Sequence, residues 1–230
     1  MNVYYKNEIA SITGPDVIQA SSTDNILIPM LELTAEFKDW NITLLGTLDG
    51  VSAVDSFCIA NTNAFRYKLE INGEIFEGYI EHYTTIHDFD LLFAKSFTLE
   101  LVGNDPLYIG HLFLGKRVIL PRFLVEPEFN TGLRGESSRS FGGQAFGLQR
   151  KTLNSFSVNY HRLTNEEKNL LTEYVTEVQG NIPHIIDLYP GARDQFPPMY
   201  ATVSASELPF TKRNENGFYF SGSLSWQEAR

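Results

Sequence analysis

The chain has 230 residues, a formal net charge of −10 and a single cysteine. That length allows one or two domains with real cores. The negative charge disfavours non-specific association with nucleic acid or anionic membranes, and one thiol excludes an internal disulfide framework. The hydrophobic fraction of 43% and charged fraction of 20% are those of an ordinary globular protein, and 13% aromatic residues lean toward strands. No run approaches the ~20 apolar residues of a membrane span. Met1–Lys6 shows no charged leader followed by an apolar core, so the chain is expected in a reducing cytoplasm. The charge is uneven: residues 1–120 hold 7 Lys/Arg against 16 Asp/Glu, and residues 121–230 hold 11 against 12. The change falls at Pro121, where a domain boundary is placed.

In chain order, 2–12 and 16–20 read as short strands around Gly14-Pro15, and 25–40 as loop with a strand near Leu31–Leu33. Ile42–Leu44, Ala53–Ala60, Arg66–Ile71, Ile75–Ile80, Lys95–Val102 and Leu107–Leu114 follow as strands, and no helix in this half has convincing caps. Many short strands with Gly, Asn and Asp punctuation predict a β-sandwich or jelly roll over 1–120. Cys58, inside an apolar strand, is read as a buried inert thiol.

Residues 121–150 are rich in Gly, Ser and Arg, which predicts a connector and a solvated arm. Arg134, Arg139, Phe141, Gly142 and Gly143 are its candidate assembly residues, with the acidic half of a neighbouring copy as a ready partner. Residues 151–230 read as an α+β domain. Phe156, Val158 and Tyr160 alternate with polar residues as a strand. Thr164 and Glu167 then form a capping box opening a helix over about 164–179. Leu170, Leu171, Tyr174, Val175 and Val178 give that helix one apolar stripe, and Gly180 and Pro183 stop it. Three more strands are expected: 182–189, 199–205 and 218–226, the last two joined through a turn at 214–217.

Chemistry-bearing motifs are missing. There is no phosphate loop, no dinucleotide glycine spacing and no nucleophile elbow, and the five histidines lack metal-ligand spacing. A non-catalytic protein without a cofactor is expected. His82 with His87, Asp88 and Asp90 is the one acid–imidazole cluster, and an ordinary polar turn over 81–90 is its plainer reading. Trp40, Tyr79 and Tyr83, with His82, are candidate glycan contacts; packing in the core or at an edge is the plainer reading of the aromatics. His184 beside Asp187 is read as a strand residue with a polar neighbour.

Two stretches of the first half carry a resemblance. Val54–Asn63 resembles the apolar strand and Asn-containing turn of discoidin-like (galactose-binding-like) jelly rolls found in phage tail proteins. Tyr108–Gly115 is similar to their closing strand, and 21–40 fits their opening. In the second half, 139–147, Phe156–Val158, the capped helix, 180–190 and a final strand over 218–229 follow one another. That order is similar to the distal-tail and minor tail proteins of long-tailed phages, including phage lambda minor tail protein M and gene transfer agent baseplate proteins. The resemblance implies a tail-tube type split β-sandwich or barrel with one flanking helix. It also implies a structural ring, six copies of the chain, between the tail tube protein and the baseplate hub at the virion's tail tip. The chain would be made in the host cytoplasm. A carbohydrate-binding module reading host surface glycans through 1–120 is the alternative.

Overall fold

The computed structural model describes residues 1–18, 21–30, 33–123, 127–134, 137–139, 145–147, 151–178, 182–204, 211–212 and 219–229. The strands are β1 Asn2–Tyr4, β2 Ile9–Thr13, β3 Ala35–Phe37, β4 Asn41–Thr62, β5 Ala64–Ile71, β6 Glu74–Tyr79, β7 Thr84–Gly103, β8 Leu107–Gly115 and β9 Val118–Ile119. They continue as β10 Glu128–Arg134, β11 Ser137–Arg139, β12 Ala145–Gly147, β13 Lys151–Leu163, β14 His184–Asp187, β15 Met199–Val203, β16 Thr211–Lys212 and β17 Phe220–Glu228. The α-helix α1, Asn165–Val178, follows β13, and a 3-10 turn over Thr23–Leu27 lies where loop was expected. The chain is mainly β, as the alternating patterns predict.

It forms two compact units. One comprises Met1–Leu120 with Pro183–Tyr200, the other Pro121–Ile182 with Ala201–Arg230. This departs from the continuous C-terminal domain expected over 151–230. β14 pairs antiparallel with β1, Val3 opposite Ile186. An apolar run marks a strand but does not say which strand it will pair with.

The first unit is built on a sheet of order β3-β8-β4-β7-β5-β6, with β2 on β4. β4 and β7 form one long ribbon, from Asn41 opposite Val102 to Ala60 opposite Thr84. Its register breaks between Thr47 and Ser52, where Gly50 sits at φ 73°. A bulge there bends the ribbon without ending its pairing, and the positive φ suits glycine. The two halves then face each other across one core: Leu44, Leu69 and Leu99 on one side, Phe57, Ile59 and Leu112 on the other. This is a jelly-roll sandwich. The segments Ile42–Leu44 and Ala53–Ala60, expected as separate strands, are two parts of β4. Most of 81–90, expected as a polar turn, lies in β7.

In the second unit the sheet runs β10-β13-β17-β15, with β16 on β17. The capping box forms as expected: Thr164 N donates to Glu167 Oε2 at 2.8 Å, and Glu167 N donates to Thr164 Oγ1 at 3.2 Å. Leu171, Tyr174, Val175 and Val178 are the buried stripe of α1. Phe156 stacks on Trp226 beneath it, ring centroids 4.7 Å apart. The expected helix stop at Gly180 and the turn at 214–217 lie outside the described residues. The connector is not loop throughout, since β10 pairs with β13 and β11 with β12.

Candidate functional site

Because the β4–β7 ribbon doubles back, both ends of β4 arrive at the same end of the sandwich. Gly103 N donates to the carbonyl of Trp40, just before β4, at 2.8 Å. Gly103 is also the cross-strand partner of Ala64, just after β4. A Cβ on Gly103 would stand 2.8 Å from Ala64 Cα, so this approach requires glycine. Asn61 N donates to Tyr83 O at 2.9 Å, and Ile80 N donates to Phe65 O at 3.0 Å. Tyr79 lies opposite Arg66 on β5. Asn63 braces the neighbouring loop: Nδ2 donates to the carbonyls of Asn104 at 3.3 Å and Pro106 at 2.7 Å, and Oδ1 accepts from Tyr108 N at 2.9 Å.

These links gather Trp40, Tyr79, His82 and Tyr83, scattered over more than forty residues of sequence, at one end of one unit. None of the three aromatics is packed away: Trp40 is 56% exposed, Tyr79 70% and Tyr83 50%. None of them is in the core, and Tyr79 lies on β6, the terminal strand of its sheet. His82 is exposed with them. Phe65, 47% exposed, joins the group. Sequence inspection passed over Phe65 because it sits next to a well-patterned strand. Four exposed aromatic residues thus stand on braced backbone at this end of the unit, an aromatic rim, and exposed rings of this kind can stack on a flat apolar face.

His82 and His87 do not converge. His87 Nδ1 shares a hydrogen bond with Tyr67 Oη at 2.6 Å, and its ring meets Phe76 at 5.7 Å between centroids. Burial lowers the His87 pKa and pushes that of Tyr67 up to about 12. Asp88, on the opposite face of β7, belongs to a different group. Among the described residues no cluster has the makings of a metal site.

That other group is an ionic clasp the sequence did not suggest. Arg193 Nε donates to Asp187 Oδ2 at 2.7 Å, and Arg193 Nη2 pairs with Asp88 Oδ2. Tyr4 Oη donates to Asp88 Oδ1 at 3.1 Å, and Ser56 Oγ reaches the same oxygen at 3.0 Å. Arg117 adds a backbone bond to Asp55 at 2.8 Å and stands 3.5 Å from Asp88. Burial raises the Asp187 carboxyl above its ordinary value while the guanidinium pulls it back. The clasp ties Pro183–Tyr200 to the rest of its unit. Its carboxylates and guanidiniums pair with each other, which is a structural arrangement.

In the second unit, Arg134 ends β10 and Arg139 ends β11. Phe141, Gly142 and Gly143 lie outside the described residues, so the arm residues are not brought into a common site by the described structure.

No protein-family model and no curated protein matches the chain. Solved structures match part of it. A Ruminococcus gnavus GH29 fucosidase is 14% identical with a TM-score of 0.42, covering 47% of this chain and 25% of that one. A chitosan-binding module from a Paenibacillus sp. IK-5 chitosanase/glucanase is 7% identical with a TM-score of 0.41, covering 48% of this chain and 98% of that one. The Clostridium perfringens module CpGH89CBM32-5, solved with GalNAc-β-1,3-galactose, is 13% identical with a TM-score of 0.39, covering 46% of this chain and 94% of that one. This chain thus spans about a quarter of the fucosidase's length.

Proposed function

We propose that the first unit is a carbohydrate-binding module that recognises a neutral glycan at its aromatic rim. The observation that carries this is the convergence of Trp40, Phe65, Tyr79 and Tyr83, all substantially exposed, at one end of the sandwich. Apolar rings left in water on a rigid framework are costly to a monomer unless something covers them. A pyranose offers a flat C–H face of matching size, with hydroxyls at its edge for His82. The acidic balance of residues 1–120 disfavours an anionic glycan. No covalent step is assigned to any residue. A glycan array probed with the full chain tests this. Binding to neutral glycans is expected, with at least a tenfold loss in Trp40→Ala and Tyr83→Ala and no change in unfolding midpoint. A blank array, or binding that both variants retain, overturns it.

A second role, for the second unit, is supported by one observation. β10 is the terminal strand of its sheet, and Phe129 on it is half exposed. Such an edge invites pairing with another copy. It suits the ring of a phage distal-tail or minor tail protein, joined to the tail tube and the baseplate hub at the virion's tail tip. The glycan module would then serve host recognition. Electron microscopy of the purified chain is expected to show annular particles that Phe129→Asp disperses. Monomers at every concentration count against the ring and leave the glycan reading untouched.

A further inference from the structure

The outer face of β7, β4 and β8 carries three side chains in one row. Ala60 on β4 is the cross-strand partner of both Thr84 on β7 and His111 on β8. Directly paired residues point to the same face. Thr84 and His111 therefore flank a methyl group across two strand spacings, roughly 9–10 Å between Cα atoms. Alanine does not fill that span. The Tyr200 ring packs beside His111, its centroid 5.4 Å from the imidazole.

Every polar tip in this row is buried and without a hydrogen-bond partner in the protein: Thr84 Oγ1, His111 Nδ1 and Tyr200 Oη. An imidazole nitrogen such as Nδ1 accepts or donates according to the tautomer. Buried polar atoms are rarely left unpaired in native proteins, because each costs about 1–3 kcal/mol. Three together, an imidazole nitrogen and two hydroxyls, ask for a small partner that both donates and accepts.

Charge argues against an ion. No carboxylate shares the row. Asp88 lies four residues along the same face of β7, roughly 13 Å away at ~3.3 Å per residue, and is engaged by Arg193. The intervening rung, Ile86, Cys58 and Phe113, is apolar and buried. A neutral O–H group, which both donates and accepts, fits this set of one imidazole nitrogen and two hydroxyls.

We propose that Thr84, His111 and Tyr200 form a buried binding site for one neutral hydroxyl group, supplied by a water molecule or by a neutral hydroxylated ligand. The site lies one residue below the rim. Thr84 follows Tyr83 directly, and the Tyr83 phenol is near enough to Tyr200 to act on it electrostatically.

A crystal structure of the full chain at a resolution that shows ordered water, with and without glycerol as the hydroxylated probe, tests this. The expected result is density within ~2.7–3.2 Å of all three atoms. Water in both crystals, or a glycerol hydroxyl replacing it, each supports the site and tells the two sources apart. Direct bonds among Thr84, His111 and Tyr200, with nothing between them, overturn it. A double-mutant cycle of Thr84→Val and Tyr200→Phe gives an independent reading. A shared hydroxyl makes the folding-equilibrium losses couple by threefold or more, whereas strictly additive losses count against it.

Discussion

Arg193 Nε donates to Asp187 Oδ2 at 2.7 Å, and the Asp187 carboxyl is fully buried with its other oxygen unpartnered. The same guanidinium pairs through Nη2 with Asp88 on β7, and that pair closes Pro183–Tyr200 onto the rest of its unit. Arg193→Ala leaves the Asp187 carboxylate buried without its counter-charge, an effect of about 3–5 kcal/mol. Combining it with Asp187→Asn should recover a good part of the loss. Denaturant unfolding of the two variants checks this, and equal losses in both would show that the pair is not coupled.

In the second unit, Trp226 Nε1 donates to Tyr174 Oη at 2.9 Å, and both side chains are buried. The bond pins α1 to β17. Tyr174→Phe keeps the ring but strands the indole N–H, a loss of about 1–3 kcal/mol. Tryptophan fluorescence during unfolding reports it directly. Trp40, the other tryptophan, is exposed and serves as the control signal.

His111 sets a pH dependence. Burial lowers its pKa from 6.5 to about 4, despite the backbone bonds at Ile26 and Ile28 that favour its charged form. Between those values the unfolded chain binds a proton that the folded chain refuses, so stability rises with pH across the window and is lost as pH falls from 6.5 toward 4. The full effect is about 3 kcal/mol. Unfolding free energy followed from pH 7 to 4 should show this slope, and His111→Asn should flatten it.

The capping box offers a smaller, local test. Thr164→Ala removes the acceptor for Glu167 N, and about 1 kcal/mol should be lost. Thr164→Ser should retain most of it. Circular dichroism thermal scans of the pair separate the cap from any general surface effect.

Local grammar was legible where neighbours in sequence are neighbours in space. The capped helix emerged within a residue of its expected start because the Thr164–Glu167 hydrogen bonds and the stripe from Leu171 to Val178 are both local. Most strands were recognisable for the same reason, since alternation is written residue by residue. The rim residues Trp40, Tyr79, His82 and Tyr83 could be nominated by type, but not gathered.

What the sequence determined by itself was therefore the β-rich class, the single cysteine, the charge asymmetry and one well-capped helix. Only the tertiary structure decided that Gly50 bends the ribbon so that Trp40 and Ala64 meet at Gly103. It also decided that Ile185 and Ile186 pair with β1, from the other end of the chain, and that Arg193 closes on Asp187 and Asp88. Each of these depends on which strand lies beside which. Backbone hydrogen bonding satisfies many pairings equally well, so side-chain burial over the whole unit selects among them, and no window of local sequence contains that sum.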